Sequence, residues 1–226
     1  MTGSRSHIAA VLALIGAGAG AAADELACGD LGVTVAAETE ALGVQICDHV
    51  EAAFAILGAC DLPRPDPGLR IETVSELRAD CVGLFHCGEA LIEVLTPEQL
   101  AEKRSKTNLF AEIPLAEYFR SVVLHEVVHA AYDGTDCPYD DCPATAEYLA
   151  YALQIGALSP EHRAPFEAGG GAEAQVPRDA INAMVLFMAP DRFAMRAWQH
   201  YSQREDPCGY LQGIFSGVTV FDHAGP

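Results

Sequence analysis

The chain has 226 residues, half of them hydrophobic and a fifth charged, the composition of a folded globular protein rather than of a disordered or coiled-coil one. Acidic residues outnumber basic ones 32 to 13, giving a formal charge of −19, and a surface of that sign repels phosphate backbones and anionic lipid headgroups. Nucleic acid is therefore not an expected partner.

At the N-terminus Arg5 precedes a run of apolar or small residues from Ile8 to Ala23, which ends in Ala21-Ala22-Ala23 before Asp24. That order is the pattern of a secretory signal peptide over residues 1–23. As a membrane anchor the run falls short of the roughly 20 residues a spanning helix needs. A lipoprotein signal fits poorly, because Glu25 stands where an aliphatic residue would precede Cys28 by three. The expectation is an exported chain, periplasmic or secreted, with residues 24–226 forming one domain and no membrane partner after cleavage. The oligomeric state is left open.

All 8 cysteines lie beyond the proposed cut, and an even number in an exported chain points to as many as four disulfides. The short spacings single out Cys81–Cys87 and Cys137–Cys142 as pairs. The alternative for Cys137 and Cys142 is a thiolate metal site.

Along the remaining chain, Leu42, Ile46, Val50, Ala53, Phe54 and Leu57 recur at helical spacing, so Thr39 to Gly58 is predicted as a helix with one buried face. Asp61 to Gly68, with three prolines, is a connecting loop. Leu69 to Val74 alternates apolar and polar residues and is predicted as a strand. Val82–Phe85 and Ala90–Leu95 are two further short strands joined as a hairpin through Cys87-Gly88-Glu89. Thr96-Pro97 opens a short helix. A long amphipathic helix follows from Pro114 to Asp133, closed by Gly134. After a polar loop, Pro143 begins another helix that runs to about Leu158. Gly169-Gly170-Gly171 reads as a flexible joint. Two last helices are expected near Arg178–Met188 and Arg192–Gln203, the second with Asp191 as its N-cap. Three strands among helices give an α+β fold, with a small mixed or antiparallel sheet and a helical C-terminal half.

The long helix carries His125-Glu126-Val127-Val128-His129. Histidines four apart on a helix project from one face, so both imidazoles can reach one metal ion. A carboxylate beside the first histidine is placed to take a proton from water at that metal. Chance yields this pattern about 0.02 times in a chain of this composition. The surrounding Phe119, Val122, Val123, Val127 and Val128 make the helix a buried one, where two histidines and a glutamate need partners.

On these residues the chain resembles the zincin metallopeptidases, whose signature is HExxH on an active-site helix. The resemblance spans about Leu115 to Leu158. It implies that His125 and His129 are zinc ligands and Glu126 the general base of peptide-bond hydrolysis. It also implies a zincin-like fold, with the sheet packed on the motif helix. Catalytic zinc takes three protein ligands and one water, and Glu147, 18 residues past His129 and near the start of the next helix, looks like the third ligand of the gluzincin arrangement. Gly134-Thr135-Asp136 resembles the aspzincin segment, which makes Asp136 the competing candidate. Thr135 stands where a metzincin has its third histidine, and Tyr151 where a thermolysin-like gluzincin has an aspartate that orients a histidine.

Asp133 is either a partner of a ligand histidine or a solvated helix-end residue. The phenols of Tyr148 and Tyr151 are either oxyanion donors or core groups with a satisfied hydroxyl. His49, His86, His162, His200 and His223 lack ligand spacing and are expected at the surface or in loops, His200 and Tyr201 in a helix able to close over the site. The layout is similar to that of uncharacterised exported bacterial proteins grouped with zinc peptidases. The leading expectation is an exported zinc metallopeptidase acting on a peptide or protein substrate. The alternative is a non-catalytic exported protein whose zinc supports the fold and which binds a partner.

Overall fold

A computed structural model describes residues 25–78, 81–104, 109–139, 141–168 and 175–223. The proposed signal peptide and the Gly169–Gly171 joint lie outside the described residues.

The architecture is α+β: among the described residues, a small mixed five-stranded sheet and eight α-helices. The strands are β1 (Glu25–Ala27), β2 (Val33–Ala36), β3 (Leu69–Val74), β4 (Gly83–His86) and β5 (Leu91–Leu95). Their order across the sheet is β1-β2-β3-β5-β4, so β1 and β4 are the edges. The two inner pairs, β2 with β3 and β3 with β5, are parallel, whereas each edge strand runs antiparallel to its neighbour. β3 and the β4–β5 hairpin match the sequence expectation. β1 and β2 were not expected, being three and four residues long and too short to show alternation.

Register sets the two faces. Ile71 pairs with Ile92, and Ile92 with Phe85, so all three side chains point to the same side and are buried there. Arg70, Glu72, Glu93 and His86 point the other way. There the Arg70 guanidinium bridges Glu72 at 2.8 Å, and His86 meets Glu93 at 2.7 Å.

Two helices cover the apolar face. α1 (Glu40–Ala59) is capped by Thr39, whose hydroxyl accepts from Leu42 N–H, and buries Ile46, Val50, Phe54 and Leu57. α2 (Pro97–Lys103) begins at Thr96 in the same way. α3 (Leu115–Tyr132) is buried along most of its circumference and packs against β4, β5, α1, α2 and α4. Its end falls where Gly134 adopts φ of +80°, a conformation that suits glycine. α4 (Pro143–Gly156) runs back along α3: His129 lies by Glu147, His125 by Gln154, and Glu117 by Ser159.

Beyond α4 come α5 (Pro160–Ala168), α6 (Ala183–Met188), α7 (Pro190–Ser202) and α8 (Pro207–Phe215). The helix expected over Arg178–Met188 divides, because the Asn182 side chain accepts from Val185 N–H and starts α6 afresh. Asp191 is not an N-cap: α7 begins one residue earlier, at Pro190, and leaves Asp191 inside its first turn.

Three disulfides are formed: Cys28–Cys47, Cys60–Cys208 and Cys137–Cys142. They fit an oxidising compartment. The bridge from Cys60 to Cys208 spans 148 residues, a closure worth on the order of 5 kcal/mol by chain entropy. The expected Cys81–Cys87 pair is not formed, and both thiols are free. The reason is geometric. The two residues flank β4, and four extended residues already hold the strand's ends roughly 10 Å apart, against the roughly 4.4–6.8 Å a disulfide allows.

Candidate metal centre

His125 and His129 stand one turn apart on the face of α3 turned to α4. Their Nε2 atoms are 3.1 Å from each other. From α4, Glu147 brings Oε2 to 3.4 Å from His125 Nε2 and Oε1 to 3.5 Å from His129 Nε2. The three side chains are 12%, 16% and 28% exposed. They form the one group of three or more metal-ligating side chains found close together among the described residues.

These spacings suit a shared cation. Around a tetrahedral ion with bonds of about 2.0–2.1 Å, neighbouring donor atoms lie about 3.3–3.4 Å apart. Glu147 Oε2 is buried without a hydrogen-bond partner, a position that costs free energy unless a cation or donor meets it. Two imidazoles and a carboxylate are donors for zinc or a similar first-row ion rather than for calcium or magnesium.

A hydrogen-bond chain sets the tautomer of His125. The Tyr118 carbonyl only accepts, so the Ser121 hydroxyl donates to it at 2.8 Å. Ser121 Oγ therefore accepts from Gln154 Nε2 at 3.1 Å. That turns Gln154 Oε1 toward His125 Nδ1, 2.9 Å away, which must carry the proton. His125 Nε2 is left with its lone pair facing Glu147 and His129. Such an outer hydrogen bond fixes ring orientation and raises ligand basicity.

Burial opposes charge on His125, but the adjoining Glu147 carboxylate and the charge of Glu126 outweigh it and hold the imidazole above the ordinary value of 6.5. Burial likewise opposes charge on Glu147, and the close approach and Coulomb attraction of both histidines more than reverse that, so its carboxyl stays far below the ordinary range.

Glu126 is 6% exposed and points from α3 toward the edge strand β4. Burial raises its carboxyl above the ordinary 4.5, opposed by the charges of His125 and His129; Glu147 adds to the rise, and the Phe85 backbone N–H draws it back. Gly83 shares the Phe85 face of β4 and makes room for it. A Cβ at Gly83 would lie 2.5 Å from Glu126 Oε1, so the strand position directly above the carboxylate has space for hydrogen alone.

Other expected residues fall elsewhere. Asp136 lines a cleft of about 430 Å³ with Arg64, Asp66 and Asp133, a cleft that none of the three clustered side chains borders. The Asp133 carboxylate accepts from Gly88 N–H at 3.0 Å and ties the β4–β5 turn to the end of α3, while its backbone N–H donates to the His129 carbonyl at 2.9 Å. Tyr148 is a core residue whose hydroxyl bonds His200 Nδ1 at 2.9 Å. Tyr151 packs edge-on against His125, ring centroids 4.8 Å apart. His200 is buried rather than superficial, and burial with the nearby Arg204 and Arg178 charges pushes its pKa down to about 4. His86 and His162 are occupied by Glu93 and Glu117.

Gln154 and Gly83 escaped sequence reasoning. Gln154 had a signal, as a polar residue two turns beyond Glu147 on an otherwise apolar helix. Gly83 had none, since its neighbour is set by sheet-on-helix packing.

Fold and site together define an α+β protein with a partly buried two-histidine, one-glutamate cluster able to hold a metal ion and a carboxylate beside it. The chain belongs to the Family of unknown function (DUF6639), whose model matches residues 33–224. The comparisons with curated proteins and with solved structures returned no match.

Proposed function

We propose that this protein is an exported zinc metallopeptidase of the zincin type, with His125, His129 and Glu147 as zinc ligands and Glu126 as general base. The observation that carries the reading is the convergence of two imidazole nitrogens 3.1 Å apart with the two Glu147 oxygens, each 3.4–3.5 Å from one of them, next to a buried carboxylate that no ligand set requires. Zinc bound there supplies a Lewis acid that polarises the scissile carbonyl and acidifies water toward neutral pH. Glu126 takes the proton of the attacking water and delivers it to the departing amine.

The edge strand supports a peptide substrate. Among the described residues β4 pairs only with β5, and its Gly83–Phe85 face lies over Glu126. An extended peptide can align on such an edge through main-chain hydrogen bonds. A purely structural zinc would leave Glu126 and the glycine above it without purpose, and this weighs against the binding-protein alternative. Metal analysis of the purified protein together with hydrolysis of a casein-like substrate tests the reading; a metal-free or inert protein would overturn it.

Gly83→Ala puts a methyl carbon 2.5 Å from Glu126 Oε1 and so forces the carboxylate to move by roughly 1 Å. We expect hydrolysis to drop roughly tenfold or more while the metal content stays at the wild-type level, read by kinetics and elemental analysis on the same sample. Unchanged kinetics would show that Glu126 is not held against β4 in the working enzyme.

Glu147→Ala removes one ligand and is expected to weaken zinc binding roughly ten- to a hundredfold or more. Asp136→Ala, in the other cleft, is expected to leave it unchanged. Chelator competition distinguishes the two, and the opposite ranking would move the third ligand to Asp136.

A further inference from the structure

We propose that the C-terminal tail is a positioning element for the metal centre: Asp222 holds the first turn of α4 in the register that aims Glu147 at the two histidines. The inference rests on the metal reading above.

A helix N-terminus leaves backbone N–H groups in need of acceptors. α4 opens after Cys142, whose side chain is engaged in a disulfide and makes no capping hydrogen bond. The acceptor comes instead from the far end of the chain. Asp222 Oδ1 accepts from Ala144 N–H at 3.0 Å, and Oδ2 accepts from Thr145 N–H at 2.9 Å and from the Thr145 hydroxyl at 2.7 Å. Thr145 Oγ1 in turn accepts from Phe221 N–H at 2.8 Å. Asp222 is 5% exposed, so these are buried, charge-assisted bonds at the positive end of a helix dipole.

A second hold acts one turn further on. The Tyr148 ring lies 4.2 Å from the Phe221 ring, and its hydroxyl is bonded to His200. Glu147 thus sits between two residues, Thr145 and Tyr148, that the tail grips directly. The tail is itself anchored by Arg178, which donates to the Val220 carbonyl and lies over the Phe221 ring at 5.8 Å. The Glu147 carboxylate meets only the two histidines among its ionic partners, and its Oε2 has no hydrogen bond. Its aim is therefore set by the backbone of α4, and that backbone is set by Asp222. Ligand geometry tolerates errors of only about 0.5 Å, so a slackened first turn is felt at the metal.

The test compares Asp222→Ala, Asp222→Asn and a remote core variant, Val35→Ala, in the full chain. Three quantities are read: zinc affinity by chelator competition, the visible spectrum of the cobalt-loaded protein, and the melting temperature of the metal-free protein. Asp222→Ala is expected to weaken zinc binding roughly ten- to a hundredfold and to alter the cobalt spectrum. Asp222→Asn keeps one oxygen acceptor and should recover part of both. Val35→Ala should lower the melting temperature and leave the affinity alone. If Asp222→Ala fails to fold, Asp222→Asn carries the comparison by itself. Wild-type affinity and spectrum in the folded Asp222 variants, with only the melting temperature reduced, would overturn the proposal. Zinc retained after His125 and His129 are both replaced by alanine would instead overturn the metal reading beneath it.

Discussion

Glu126→Gln is expected to keep its metal and lose at least roughly a hundredfold in kcat, the lower end of what a positioned general base contributes and about 2.7 kcal/mol of barrier. The substitution isolates proton transfer from shape. The amide has the outline of the carboxylate, so it fits under Gly83 where any bulkier group would collide, and it leaves the imidazoles of α3 in place. What it lacks is a basic oxygen. The native carboxylate is buried against β4, out of reach of bulk solvent. Peptide hydrolysis and metal content, measured on one preparation, give the answer. A variant as fast as wild type would remove Glu126 from the mechanism even with the metal present.

Replacing both His125 and His129 by alanine is expected to abolish zinc binding, a loss of at least roughly a thousandfold in affinity, and with it hydrolysis. The same pair gives the wild-type site a pH dependence whose sign follows from the structure. In the metal-free chain His125 holds its proton above 6.5 because Glu147 outweighs the effect of burial. Zinc must displace that proton. Affinity therefore rises as pH increases through the raised pKa, falls on acidification, and metal uptake near neutrality releases protons to the buffer. The sign for stability is opposite: the His125–Glu147 pair stabilises the metal-free fold below the raised histidine pKa, and that contribution fades as pH rises through it. Calorimetry in buffers of different ionisation enthalpy measures the released proton. Zinc bound equally at pH 5.5 and 8 would contradict the assignment of His125 as ligand.

Local chemistry made much of this fold legible. Thr39, Thr96, Pro143 and Gly134 are start and stop signals whose physics acts over three or four residues, and the helices they bound lie where they indicate. The grouping of His125, His129 and Glu147 was legible for a similar reason: helical period fixes the first two, and a short return loop limits where the third can come from. Tertiary packing hid the remainder. α8 contains two glycines, and α5 an internal proline, so their propensities point away from helix while burial of Leu211, Ile214 and Phe166 holds them in it. Gln154 was hidden in the same way, since it reaches His125 Nδ1 and Ser121 together through the packing of α4 on α3. The Cys81–Cys87 expectation failed because spacing in sequence ignored the strand drawn taut between the two thiols.

The bridge between Cys60 and Cys208 encloses the chain that carries β4, α3 and α4 in one covalent ring, while Asp222 lies outside it. A single backbone cut anywhere within the ring therefore releases nothing: the two fragments stay joined through sulfur, and only a reducing gel separates them. A cut beyond Cys208 behaves differently, since no disulfide retains the severed end. Nicking within the ring thus leaves His125, Glu126, His129 and Glu147 on one covalently connected molecule, whereas a nick between Cys208 and Asp222 sets free the residue that caps α4.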